Sequence, residues 1–139
     1  MVPLMKRTVL AVFAALVTWV LVVSLLNLVL RQGIAGYAAA EPTFTFTLGM
    51  QLARLAIAAI TSVAAGAVAA WLAPADSRPP WIAGVILLAV FLPTHMRLWH
   101  SFPLWYHLMF LLSLIPLLML GARAWRARAS APPPPTAAA

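Results

Sequence analysis

Apolar residues fall into four long runs along this chain, separated by short polar breaks. Thr8 to Leu30 is 23 residues without a charge, preceded by Lys6-Arg7 and followed by Arg31. About 20 apolar residues suffice to cross a hydrocarbon core of ~30 Å, so this run predicts a first membrane-spanning helix over about 8–30. A cleaved secretory signal is the competing reading, with Lys6-Arg7 as its basic start and Ala38-Ala39-Ala40 before Glu41 as small residues at a cleavage site. The apolar run is well beyond the roughly 7–15 residues of a signal core, which favours the span. Arg31 to Thr47 breaks the pattern with two glycines, a proline and an acid, and reads as a loop carrying interfacial aromatics, with a short strand over Phe44-Thr45-Phe46-Thr47 as the alternative.

Leu55 to Ala73 gives 19 uncharged residues behind Arg54, and the second helix is expected over about 50–73. Pro74 and the polar turn Ala75 to Pro80 close it, because proline cannot continue a helix and biases its predecessor away from αR. Trp81 to Leu92 is apolar for 12 residues, only about 18 Å of helix. The third span must therefore run on through Pro93 and His95 to Trp99, giving 81–99. The fourth covers about 104–121, with Pro116 inside it and Gly121 at its end. Residues 130–139 are proline- and alanine-rich, a composition that buries no core and predicts a disordered tail. The expected architecture is an all-α, integral membrane four-helix bundle forming one domain, 1–129.

Composition agrees with that pattern: 65% hydrophobic and 8% charged residues, with a mean hydropathy of +1.01, exclude a water-soluble globule. The absence of cysteine excludes disulfides, thiolate metal sites and cysteine nucleophiles. A net charge of +7 would suggest nucleic acid in a soluble protein, but these bases stand singly or in small groups at the ends of apolar runs. Attraction to anionic lipid headgroups explains them better, and no nucleic-acid partner is expected. Lys6, Arg7, Arg78, Arg123, Arg126 and Arg128 fall on the side shared by the two termini, against Arg31, Arg54 and Arg97 on the other. The positive-inside rule then places both termini in the cytoplasm, in a bacterial inner membrane.

The two acids, Glu41 and Asp76, both lie in loops, so no membrane-embedded carboxylate is available for ion coupling. Small multidrug transporters of similar size carry such a glutamate in their first helix, where this chain has only Thr18, Ser24 and Asn27, at intervals that do not share one face. All three histidines lie between His95 and His107, and with Arg54 they gather where the second, third and fourth spans meet the outer surface. The plainest reading is an interfacial belt of tryptophan, tyrosine and snorkelling arginine. The sharper one is a shallow pocket formed by Arg54, His95, Arg97, Trp99, Trp105, Tyr106 and His107 for an anionic lipid or a quinone-like ligand, since guanidinium groups hold oxyanions bidentately. His95 and His107 are also the one histidine pair that could flank a haem or a metal, but no nearby acid orients them, and neither metal nor cofactor is expected.

Ala58, Ser62, Gly66 and Ala70 recur every four residues, with Thr61, Ala65 and Ala69 alongside. Small residues at this spacing let membrane helices approach closely. This face is expected to bury the second helix within the bundle, or else to form an oligomer interface. Arg54 continues the adjoining row and leans toward a neighbour, with Glu41 as a candidate partner.

From Leu48 to Arg123 the segments Ala64-Ala65-Gly66-Ala67-Val68, Phe102-Pro103-Leu104-Trp105-Tyr106, Leu114-Ile115-Pro116 and Leu120-Gly121-Ala122-Arg123 stand in sequence. This resembles a group of bacterial four-helix inner-membrane proteins without an assigned activity, which show a Pro-x-Trp-Tyr start to the last helix, then Pro, Gly and Arg. The resemblance covers a little over half of the chain and implies a fold, not a function. Because no nucleophile, acid and base converge, the chain is expected to be no enzyme. It is expected to act as a non-catalytic accessory or assembly partner, contacting membrane lipids and another membrane protein or itself, with ligand binding at the outer cluster as the alternative.

A reporter fused after Ala139 should be active in the cytoplasm, and one inserted at Gly36 active outside. A mature chain beginning at Glu41 by N-terminal sequencing would overturn the four-span topology.

Overall fold

Helices start and stop here where capping and proline chemistry allow, and this shifts several boundaries from those the apolar runs suggest. In the computed structural model, which describes residues 3–132, α1 covers Leu4–Gly33, α2 Tyr37–Ala40, α3 Leu48–Leu72, α4 Arg78–Arg97 and α5 Leu104–Ala129. All but α2 are long and apolar enough to cross a membrane. The loop expected over 31–47 holds a single helical turn, α2, and the alternative short strand near Phe44 is absent among the described residues. Gly36 enables it, at φ 77°, a left-handed conformation that costs glycine little and turns the chain back after α1.

α4 begins three residues before the expected Trp81, because Pro79 and Pro80 occupy its first turn, where the missing N–H has no intrahelical partner to lose. It ends at Arg97, not Trp99. At 20 residues it is about 30 Å long and still spans. α5 does not stop at Gly121 but continues to Ala129 through the alanines and arginines of Ala122 to Ala129, which are strong helix formers. Of the expected disordered tail, residues 133–139 lie outside the described residues. The Thr47 side chain caps α3 by accepting from the Met50 N–H at 3.3 Å.

The chain runs up α1, down α3, up α4 and down α5, so α3 and α5 lie parallel and share the most extensive contact of the bundle. That contact is built on glycine. A Cβ on Gly66 would fall onto the Leu118 backbone, and one on Gly121 onto the Val63 backbone. Only hydrogen fits where two main chains meet, and the gain is van der Waals contact along both helices. Ala58, Ser62, Gly66 and Ala70 are all buried, as are Thr61, Ala65 and Ala69 on the adjoining row. α1 lies against α3 and α4, and Trp19 ties it in: its indole N–H donates to the Ser62 hydroxyl at 3.1 Å, while its ring meets Phe91 at 4.8 Å. A core of Ala15, Trp19, Ala65, Leu87, Phe110, Leu114 and Leu118 fills the centre.

At the end of the bundle holding both termini, the buried Asp76 carboxylate joins three elements. It accepts from the Thr8 hydroxyl of α1 at 2.6 Å, from the Arg78 backbone N–H at 3.0 Å, and from the Arg78 guanidinium at 2.9 and 3.1 Å. Arg126 of α5 closes the same turn by donating to the Pro74 and Asp76 carbonyls. The Arg78 guanidinium, the Thr8 hydroxyl and the Arg78 N–H together hold the Asp76 carboxyl well below the usual carboxylate range.

Two predictions follow from these contacts. Gly66→Ala, and more so Gly66→Leu, should lower thermal stability in detergent by about 1–3 kcal/mol or more through overpacking, whereas Gly49→Ala, whose Cβ meets nothing closer than 4.0 Å, and Val68→Leu should not. For Asp76 the folded carboxyl is more acidic than the unfolded one, so its stabilisation is complete above about pH 4 and fades as the pH falls further. Asp76→Asn should therefore lower the melting temperature at pH 7, and its deficit against the parent should shrink at pH 3.

Candidate functional site

The opposite end of the bundle gathers the aromatic and hydrogen-bonding side chains. Asn27 and Arg31, four residues apart, share one face of the last turns of α1, and Gly36 swings Tyr37 back beneath them. Tyr37 is fully buried in a cluster with Ala40, Phe46, Met50, Phe102 and Tyr106. Phe102 stacks between Phe46, at 5.8 Å, and Tyr106, at 4.5 Å.

Arg54, on the second turn of α3, lies within this cluster with its guanidinium 4.6 Å from the centre of the Phe46 ring. It donates from Nη1 to the Tyr37 hydroxyl at 2.8 Å and from Nε to the Tyr106 hydroxyl at 3.3 Å. Tyr37 donates in turn to Asn27 Oδ1 at 2.8 Å, and Asn27 Nδ2 donates to Glu41 Oε1 at 3.0 Å. Glu41 Oε2 takes its bond from Arg31 at 2.5 Å. A continuous chain of donors thus runs from Arg54 through Tyr37 and Asn27 to Glu41, so the expected Arg54–Glu41 pair is replaced by an indirect link. Burial raises the Glu41 carboxyl, but the Asn27 and Arg31 donors and the charge of Arg54 outweigh it and leave the group below its ordinary value. Burial likewise pushes the Tyr37 phenol up, which keeps it a neutral donor.

Beside this chain lies a cavity of about 370 Å³. Asn27, Glu41, Arg54 and Tyr106 form its polar part, and Trp19, Val23, Ile57, Phe91 and Phe110 its apolar part. Ser24 of α1 lines it while remaining exposed. A mostly apolar wall with a few convergent polar groups is the usual build of a small-molecule site, and the volume falls at the low end of the ~300–1,000 Å³ typical of such sites. Of the five guanidinium N–H groups of Arg54, two are spent on the phenols, leaving three for a ligand.

A smaller cavity of about 100 Å³ adjoins it through shared Arg54, Phe91, Tyr106 and Phe110, and adds Thr94, His95 and His107. His95 and His107 are both buried and face each other, Nδ1 to Nδ1, at 2.8 Å. That contact requires one protonated and one bare Nδ1, so each ring spends on the other the atom it would turn to a ligand between them. The rings meet edge to face at 80°. They do not flank a slot for a planar macrocycle, and no group of three or more metal-ligating side chains occurs among the described residues. His107 Nε2 is buried without a partner, and Trp99 stacks on this ring at 5.0 Å and 9°.

Arg54, His95, Tyr106 and His107 are therefore brought together, and Trp99 touches the group while staying 45% exposed. Arg97 and Trp105 are not part of either cavity; both are exposed. Helical geometry separates them: Arg97 lies two residues after His95 and Trp105 one before Tyr106, and such neighbours point to different faces. Asn27, Tyr37 and Glu41 join the site instead, together with Trp19 and Phe91. The i, i+4 pair Asn27/Arg31 and the glycine before Tyr37 were the available signals. Ser24 and Asn27 do share a face, three residues apart, and it is Thr18 that points elsewhere. Compared with protein-family models, curated proteins and solved structures, the chain matches none.

Proposed function

We propose that this chain is a multi-pass protein of a bacterial inner membrane, with both termini cytoplasmic, that holds a membrane-dissolved amphiphile of lipid-like or quinone-like shape by non-catalytic contacts. The observation that carries this reading is the 370 Å³ cavity, whose apolar part between Trp19, Val23, Phe91 and Phe110 ends on the donors of Arg54, Tyr106 and Asn27. A ligand with an apolar body and a hydrogen-bond-accepting head satisfies both parts at once. Its body would replace lipid contacts at little cost, and its head would take up the guanidinium donors that the two phenols leave over. Membrane placement rests on the four apolar helices, and orientation on the six bases that gather at the terminal end.

A role as an assembly partner is the second reading. It is favoured by α1, only 17% buried over its most apolar window, whose outward face carries two shallow apolar depressions around Val9 and Phe13 and around Val17 and Leu21. A helix of another membrane protein, or of a second copy, fits such a face.

Native mass spectrometry of the protein extracted in gentle detergent tests the first reading. A small amphiphile should travel with the parent and be depleted in Ser24→Phe, which places a ring in the cavity from an exposed position and should leave the melting temperature nearly unchanged. Equal adducts in both proteins would overturn cavity binding. A stoichiometric protein companion with no small adduct would favour the assembly reading.

A further inference from the structure

The charges around the cavity specify the ligand further, on the premise that the cavity binds an amphiphile at all. We propose that its head is a singly charged oxyanion, a carboxylate or a phosphate diester, taken bidentately by Arg54, with an acyl chain along Trp19, Val23 and Phe91.

Two guanidinium groups, Arg31 and Arg54, share this end of α1 and α3 with one carboxylate, Glu41. Both Glu41 oxygens are occupied, Oε1 by Asn27 and Oε2 by Arg31. Asp76 is engaged with Arg78 and Thr8 at the other end of the bundle. Among the described residues no carboxylate reaches ion-pair distance of Arg54. Its partners are the neutral hydroxyls of Tyr37 and Tyr106 and the face of Phe46. A part-buried guanidinium with neutral neighbours keeps most of its desolvation cost uncompensated, and an arginine at membrane depth usually finds an opposite charge. The three N–H groups left over form part of the planar fork that matches two oxygens of one anion.

A neutral head does less here. An alcohol or a quinone carbonyl accepts hydrogen bonds but leaves the positive charge without a counter-charge. The monoanion brings Arg31, Arg54, Glu41 and ligand to a net charge of zero. The bonds to Tyr106 and Tyr37 hold the guanidinium through Nε and Nη1, and Nη2 carries no hydrogen bond among the described residues. The apolar residues of the lining, Trp19, Val23, Ile57, Phe91 and Phe110, give an acyl chain a surface to lie on.

The test is native mass spectrometry of the full chain in nonionic detergent at pH 7.5, with palmitate, hexadecanol or phosphatidylglycerol added at equal mole fraction. Palmitate should bind about tenfold or more tighter than hexadecanol, and Arg54→Gln should abolish that preference. Glu41→Gln, which leaves Arg54 in place and removes the carboxylate that lines the cavity and pairs with Arg31, should strengthen palmitate binding by roughly threefold or more. This second variant carries the test even if Arg54→Gln loses its fold. Phosphatidylglycerol displaced by palmitate identifies a lipid phosphate as an occupant of the same fork; palmitate binding without it identifies the free carboxylate. Hexadecanol binding as well as palmitate, with Glu41→Gln without effect, overturns the oxyanion and leaves amphiphile binding standing. Binding of none of the three, in the parent as in Ser24→Phe, overturns both.

Discussion

The meeting of α3 and α5 at Gly66 and Gly121 is the contact from which the rest of the arrangement follows. Two main chains touch there with no side chain between them. This fixes the axial register of the pair, because the Leu118 and Val63 backbones leave each glycine room for a hydrogen alone. Twelve residues before Gly66, and so about 18 Å away along α3, the same register brings Arg54 beside Tyr106. Helices clamped together in one half present large side chains to each other in the other half, and the cavity lies there, among Arg54, Ile57, Tyr106 and Phe110.

The two ends of the bundle use their single acids differently. Asp76 is consumed in structure: it ties α1 to the α3–α4 turn, where Arg126 of α5 also binds. Glu41 is also paired, but its pairing sits at one end of a donor chain whose other end is a guanidinium without an acid. Since each carboxylate already has a nearer arginine, Arg31 or Arg78, Arg54 is left with the two phenols as its hydrogen-bond partners. A guanidinium without an ion-pair partner and the 370 Å³ cavity therefore coincide at the Glu41 end.

α1 holds a double role in this arrangement. At mid-height it is tied to α3 by the Trp19–Ser62 bond, and its last turns supply Asn27 and Arg31 to the site, while most of its apolar surface faces outward. A helix attached on one side and free on the other thus lines the cavity with Trp19, Val23, Ser24 and Asn27. The buried histidine pair stands just behind, closing the smaller cavity with Trp99 stacked over it.

Apolar run lengths by themselves determined the four long helices, since about 20 residues without charge leave few alternatives, and the four-residue spacing of small side chains on α3 determined which face is buried. The ends were less legible: Pro79 and Pro80 read as a turn but sit in a first turn that tolerates them, and Gly121 read as a stop but marks a crossing. The sequence also placed Arg54, His95, Tyr106 and His107 near one another, because helix ends bring them to a common level. Only the tertiary structure decided which of these share a cavity, since that depends on the rotation of each helix about its axis. Rotation is set by the glycine contact and by the Trp19–Ser62 bond, both between residues distant in sequence. It turned Arg97 and Trp105 outward, brought Asn27 and Tyr37 in, and left Arg54 with phenols where a carboxylate was expected.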